Sequence, residues 1–221
     1  MRFLSRSEVR TWFEGRRVAV VGSGPGCDEN SEGWVDSHEV VVRVNNFKTT
    51  ARTGRRTDVF YSFFGTSIRK TAEELIRCGV KLCMSKVPNA HAIESEWHRQ
   101  HGKMIGVDYR PHYERRKDWW FCDTYVPTVE EFLEPFNALE RHQPTSGFAA
   151  IWDVLSFNPQ SVFLTGFDFF TSGIHNVNEP WVVKNTDDPI RHDPERERKW
   201  VADAVKRHPI RCDKRLADAI A

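Results

Sequence analysis

Near the carboxyl end of this 221-residue chain, the run His192-Asp193-Pro194-Glu195-Arg196-Glu197 sets an imidazole and a carboxylate on either side of a helix-starting pair. With Asp193 as N-cap and Pro194 as the first helical residue, His192 stands at N′ and Glu197 at N4. Those two positions pack against each other where a helix begins. A carboxylate beside an imidazole fixes its tautomer and raises its basicity, which suits a general base. A histidine that merely precedes a helix has the same spacing, so the pair takes its meaning from its surroundings.

Other residues are suited to holding an anion or a nucleoside. Thr145-Ser146-Gly147 opens a helical pattern, where free N–H groups and the positive dipole end favour a carboxylate or phosphate. Simple capping by Thr145 or Ser146 reads equally well. Gly22-Ser23-Gly24-Pro25-Gly26 follows a short apolar run, and such a loop lets backbone N–H groups converge on an anion, or is a plain strand-to-helix turn. It is not a dinucleotide fingerprint. The third glycine of G-x-G-x-x-G falls on Cys27, and the next strand ends Arg43-Val44-Asn45 without an acidic residue. Asn45 offers an amide that can donate to and accept from a ribose or base, or else forms a turn. Ser62, late in the following strand, faces the same edge.

Elements that would position these groups alternate between strand and helix. Strands are expected over Arg17–Gly22, His38–Asn45, Asp58–Phe64, Val80–Ser85, Ser161–Phe167 and Pro209–Cys212. Helical spacing runs over Ser5–Glu14, Ile68–Cys78, Thr128–Leu139, Ser146–Phe157, Pro194–Lys206 and Lys214–Ile220, with Thr128 and Glu131 as a capping box. From Pro88 to Pro127 the pattern is weak and aromatic-rich, with one strand expected near Met104–Tyr109. Thr171–Arg191 is a long polar stretch of the kind that forms lids and binding loops. This alternation predicts an α/β, Rossmann-like single domain over 1–221 with a mostly parallel sheet, whose carboxyl edge is where open α/β sheets bind ligands.

Composition narrows the partners. Lys and Arg total 32 against 31 Asp and Glu, so no global field marks nucleic acid as a partner, although basic clusters stand at Arg52–Arg56 and Arg110–Lys117. Five cysteines with irregular spacing form neither a zinc pattern nor a disulfide framework, which favours a reducing, cytoplasmic compartment. No apolar run approaches the length of a transmembrane segment, leaving peripheral contact with a membrane through Arg110–Lys117 open.

Taken together, the segments resemble a known family. Arg17–Gly24 followed by Val35-Asp36-Ser37-His38-Glu39-Val40-Val41-Val42-Arg43-Val44-Asn45 resembles the large sialyl motif of animal-type sialyltransferases. Pro144-Thr145-Ser146-Gly147-Phe148-Ala149-Ala150-Ile151, running to Val162-Phe163-Leu164-Thr165-Gly166-Phe167, resembles the small motif. His175 and His192…Glu197 resemble the short His motif and the His-x4-Glu motif. All lie in the family's order between Arg17 and about Lys206, with the middle third unmatched. There are departures. Asn176 follows His175 where the family has an aromatic residue. No apolar run within these 221 residues matches the animal enzymes' N-terminal anchor, and no cysteine stands near Arg17-Val18 or Phe157-Asn158, where those enzymes join the two motifs.

The resemblance implies a variant GT-A-like glycosyltransferase that moves sialic acid, or Kdo with the same 2-keto-acid head, from its CMP donor to a glycan or glycolipid hydroxyl. It further implies single inverting displacement with His192 as base, His175 hydrogen-bonded to the departing phosphate, and the Ser146 helix end stabilising negative charge. Gly22, Ser23, Gly24, Asn45, Ser62, Thr145, Ser146 and Gly147 would hold the donor. No cofactor is expected, and no metal, since the leaving group is a monophosphate and no Asp-x-Asp is present. Asp187, Asp188 and Asp193 read as loop acids. The aromatics from Trp97 to Trp120 and the Thr171–Arg191 loop serve equally as acceptor platform or as packing. Three rivals stand beside this reading: a non-catalytic nucleotide-binding module, a metal-dependent pyrophosphokinase-like enzyme, and a dinucleotide oxidoreductase, which the missing third glycine disfavours.

Overall fold

A computed structural model describes residues 2–64, 68–87, 121–171 and 192–221. Among them, eight strands form one sheet: β1 (Phe3–Leu4), β2 (Arg17–Val21), β3 (Val40–Val44), β4 (Val59–Ser62), β5 (Leu82–Ser85), β6 (Asp123–Tyr125), β7 (Ser161–Thr165) and β8 (Ile210–Cys212). Their order is β1-β6-β5-β4-β3-β2-β7-β8, and every pairing is parallel. The Rossmann-like α/β expectation holds, with "mostly parallel" sharpened to all parallel among the described residues. Val18 of β2 lies opposite Val40 on one side and Val162 on the other. From β2 the chain builds outward to β6 in one direction, then returns to place β7 and β8 on the other side. The topological switch therefore falls at the carboxyl ends of β2 and β7, where such sheets hold ligands.

The strands read as continuous apolar runs because both faces are covered. Val18 and Val20 face a core with Val42, Tyr61, Phe148, Ile151, Val201 and Leu216, whereas Ala19 and Val21 face Cys27, Val35, Val41 and Phe163. That split follows from the two-residue period of a strand. The helices are α1 (Arg6–Phe13), α2 (Ala72–Arg77), α3 (Val129–Ala138), α4 (Ser146–Ser156), α5 (Pro194–Arg207) and α6 (Lys214–Ile220). Reciprocal capping boxes start α1, α2 and α3, from Ser5 with Glu8, Thr71 with Glu74 and Thr128 with Glu131. Helical spacing over Ile68–Cys78 therefore becomes helix only from Ala72, because Thr71 caps it there. β1 and β6 escape the sequence pattern, since two and three residues are too short to show a period. The strand expected near Met104–Tyr109, the Trp97–Trp120 aromatics and most of Thr171–Arg191 lie outside the described residues.

Where the resemblance would place a disulfide, the chain uses other contacts. Gly15 N–H donates to Asn158 O at 3.1 Å, Gln160 N–H donates to Arg16 O at 2.9 Å, and Phe13 stacks on Phe157 with centroids 5.4 Å apart. The Cys122 thiol lies 3.3 Å from the Cys83 sulfur on the neighbouring strand, a closeness their spacing in sequence does not suggest. The Arg52–Arg56 cluster is more than a solvated face. Its backbone wraps the buried Arg43 guanidinium, which donates to Thr53 O at 2.7 Å and Arg56 O at 3.1 Å, and Asp36 accepts from the Arg55 and Arg56 amides. No described helix is long and apolar enough to cross a membrane.

A buried carboxyl links α4 to the sheet. Tyr61 Oη donates to Asp153 Oδ2 at 2.7 Å, and burial pushes the Asp153 carboxyl up to about 7, against the Tyr61 bond and the Arg6 charge. Its pKa in the unfolded chain is near 3.9, so the folded state retains a proton that the unfolded state releases. That contribution to stability is full below about pH 4 and is lost as pH rises through 7. Asp153→Asn keeps an acceptor for Tyr61 and removes the ionisation. Urea unfolding should show the wild type less stable at pH 8 than at pH 5, and the variant should remove on the order of 1–3 kcal/mol of that loss. An unchanged pH slope would show the assignment to be wrong.

Candidate functional site

Those expected site residues that the structure describes lie at the carboxyl edge of the sheet. Asn45 follows β3, Ser62 ends β4 and the Gly22 loop follows β2. Helices α4 and α5 each lead into a parallel strand, so both begin at that same edge. Asn45 adopts φ 51°, a left-handed conformation that asparagine tolerates better than most residues. Its N–H donates to Tyr61 O at 3.0 Å, while its Oδ1 is buried with no hydrogen-bond partner among the described residues. Asn45 thus forms a turn and also presents an unused acceptor. Ser62 is at the expected edge but fully buried, and its Oγ accepts the Phe64 N–H at 3.0 Å. That hydroxyl closes the turn after β4.

The glycine loop has a different physical reason from the one its sequence suggests. Gly22 N–H donates to Thr165 O and Gly24 N–H to Gly166 O, each at 2.8 Å. These two amides bind the loop after β7 and do not converge on an anion, which corrects that expectation for them. A Cβ on Gly22 would stand 2.3 Å from Gly166 O and 2.9 Å from the Phe167 ring; one on Gly147 would also meet that ring at 2.9 Å. The Phe167 ring therefore lies between the β2 loop and the first turn of α4, and both glycines are there to admit it. The residue after β7 and Gly166 thereby locks the β2 loop to the start of α4.

The first turns of α4 and α5 meet through Glu197. Asp193 caps α5, accepting from the Glu195 and Arg196 amides at 3.1 Å, and Pro194 takes the first helical position as expected. Glu197 is the fourth helical residue, but its carboxylate engages Thr145: Oε1 accepts the Thr145 N–H at 2.6 Å and Oε2 the Thr145 Oγ1 hydroxyl at 2.8 Å. Thr145 Oγ1 in turn accepts the Phe148 N–H at 3.1 Å as the N-cap of α4. The imidazole of His192 instead meets Gln143, whose carbonyl lies 2.7 Å from Nδ1. The expected carboxylate–imidazole pairing is thus replaced by two separate contacts. A carbonyl can only accept, so Nδ1 carries the hydrogen, and in the neutral ring Nε2 bears the lone pair.

The electrostatics follow from burial. Desolvation pushes Glu197 up to about 7, opposed by its two Thr145 bonds and by the Lys86 charge. Lys86, buried just past β5, is held down at about 8 by the same desolvation, opposed by Glu197. The α4 start expected to receive a substrate anion therefore already holds an internal carboxylate at Thr145. The Ser146 and Gly147 amides, at the first two helical positions, are among those a helix leaves without intrahelical acceptors. His175 lies outside the described residues, as do Asp187 and Asp188. Among the described residues, no three His, Cys, Asp or Glu side chains group as metal ligands.

Sequence reasoning missed Gln143 and Lys86. Both sit in segments that read as connectors, and only the lysine carries a signal, as a charge directly following the apolar run Val80–Ser85. The Thr145–Glu197 contact is testable through stability. Thr145→Ala removes the N-cap and a hydroxyl bond that favours the charged carboxylate, so unfolding free energy should fall by about 1–2 kcal/mol at pH 8.5. The deficit should narrow at pH 5.5, below the Glu197 value of about 7, and Thr145→Ser should restore most of it. A deficit independent of pH would separate Thr145 from Glu197.

No protein-family model matches the chain, and no curated protein sequence matches it. Solved structures do. A mammalian sialyltransferase superposes with a TM-score of 0.56 at 19% identity, over 90% of this chain and 68% of that one. The sialyltransferase CstII from Campylobacter jejuni, in complex with cytidine-5'-monophosphate as a substrate analogue, gives 0.56 at 15% identity, over 90% and 80%. A CST-II complex with a trisaccharide acceptor and CMP gives 0.53 at 17% identity, over 89% and 80%. At these identities the likeness is one of architecture. The chain has a sialyltransferase-like, GT-A-like fold.

Proposed function

We propose that the protein is an inverting glycosyltransferase that moves sialic acid or Kdo from a CMP donor to a hydroxyl of a glycan or glycolipid. The observation that carries this reading is the position of His192. Its Nδ1 is committed to the Gln143 carbonyl, and it opens α5 at the sheet edge that also holds Asn45 and the α4 start. A histidine held in one tautomer at the carboxyl edge of the sheet suits proton removal from an attacking hydroxyl. Structural neighbours solved with CMP, and with CMP and a trisaccharide, favour the same donor class and acceptor type.

In this mechanism His192 Nε2 takes the proton from the acceptor hydroxyl as its oxygen attacks the anomeric carbon. The bond to the CMP phosphate breaks, and CMP leaves with that electron pair. The Ser146 and Gly147 amides, at the positive end of α4, and His175 stabilise the charge on the leaving phosphate. Asn45 Oδ1 accepts from the nucleoside. Glu197 works one step removed: it holds Thr145, and so the α4 start, in place. With a monophosphate leaving group and fixed protein donors, transfer is expected without a divalent ion.

The test is incubation with CMP-sialic acid and CMP-Kdo separately, in EDTA, while following CMP release with and without a glycan acceptor. One donor should be consumed. His192→Ala should lower transfer at least 100-fold while CMP affinity stays within a few-fold, in line with general-base contributions of roughly 10²–10⁴. Release from neither donor, or near-normal transfer by the variant, would sink the reading.

A further inference from the structure

Gln143 has two chemically separate halves, and only one is accounted for. Its backbone carbonyl orients His192. The residue is 2% exposed, and among the described residues neither side-chain Nε2 nor Oε1 has a hydrogen-bond partner. Buried polar groups in folded proteins nearly always find partners, and leaving one unsatisfied costs roughly 1–3 kcal/mol. Leucine or methionine would fill similar space without that cost, so the amide has no evident purpose in the fold by itself. Its place in the chain does point to one. It lies two residues before Thr145, between the proposed base and the start of the helix that faces the donor.

We propose that the Gln143 side-chain amide is a specificity-determining group, which receives a neutral sugar hydroxyl or N-acyl amide of the substrate beside His192. This rests on the transferase reading above. The chemical class follows from the two orphaned atoms. A phosphate or carboxylate would satisfy Nε2 but leave Oε1 facing lone pairs. A hydroxyl or a secondary amide both donates and accepts, and so completes both atoms. Asn45 Oδ1 is a second orphaned amide atom at the same sheet edge. Between them the two residues present two acceptors and one NH₂ donor group to an uncharged, hydroxyl-rich ligand. A site built to hydrogen-bond such a group discriminates strongly against analogues lacking it, because its own buried atoms are then left unpaired.

The experiment uses the full chain with Gln143→Leu and Gln143→Met. Both variants keep the backbone carbonyl, so the His192 contact is retained. Three quantities are measured: melting temperature without ligand, CMP affinity by calorimetry, and kcat/KM for CMP release from CMP-sialic acid or CMP-Kdo, whichever the wild type consumes. Both variants should melt at or above the wild type, bind CMP within twofold, and lose at least tenfold in kcat/KM. Wild-type kcat/KM in either variant would overturn the inference. So would lower melting temperatures in both, which would show that the amide already serves the fold. A wild type that consumes neither donor fails at the earlier step and removes the transferase reading itself.

Discussion

The contact on which the site depends is the Glu197 carboxylate, which accepts both donors of Thr145 across 52 residues of chain. It is costly to assemble. A carboxylate is brought to full burial, where desolvation alone would favour its neutral form, and two hydrogen bonds with a nearby lysine charge offset that only in part. The contact sets the relation between α4 and α5. His192 lies five residues before Glu197 and Gln143 two residues before Thr145, so the same clamp brings the imidazole to the carbonyl that orients it. Around it, Arg196 pairs with Glu140, and the Trp200 ring of α5 packs on Phe148 and Trp152 of α4.

A second constraint works beside it, between the β2 loop and the first turn of α4. The Phe167 ring fills the space that side chains on Gly22 and Gly147 would need, so three short segments far apart in sequence are fitted around one aromatic side chain. Phe13 and Phe157 with two backbone bonds perform the corresponding task at the opposite edge of the sheet. Packing and backbone pairing hold the start of β2 to the end of α4 without a covalent link between them. That arrangement is consistent with a chain whose buried thiols take no part in joining them.

Much of the architecture was legible because its signals are local. Asp193-Pro194 announces a helix start, Thr128 and Glu131 announce another, and the valine runs of β2 and β3 announce strands covered on both faces. β6 was hidden by its brevity. The site was legible as a set of positions and less so as a set of contacts. Helical spacing correctly placed Glu197 on the turn beside His192, but spacing cannot name the element packed across from it, and that element presented Thr145. The glycines of the Gly22 loop were recognisable as a type, yet their cause, the close approach of Gly166 and Phe167, is a tertiary fact. Gln143 carries no pattern at all. Its importance comes from what does not touch it, and only packed side chains reveal that.

The strand order has a consequence for how the molecule comes into being. β2 is synthesised well before its neighbour β7, which ends at Thr165, and β1 waits for β6 near Tyr125. Until those partners emerge, a strongly apolar valine strand stands with one side unpaired, and the Gly22 loop has no Gly166 or Phe167 to close against. Pairings of such long separation form slowly and leave sticky edges exposed meanwhile. The nascent chain thus passes through a long interval in which an apolar strand is complete and the β2–β7 junction does not yet exist. A ligand arriving before β7 would find nothing to bind.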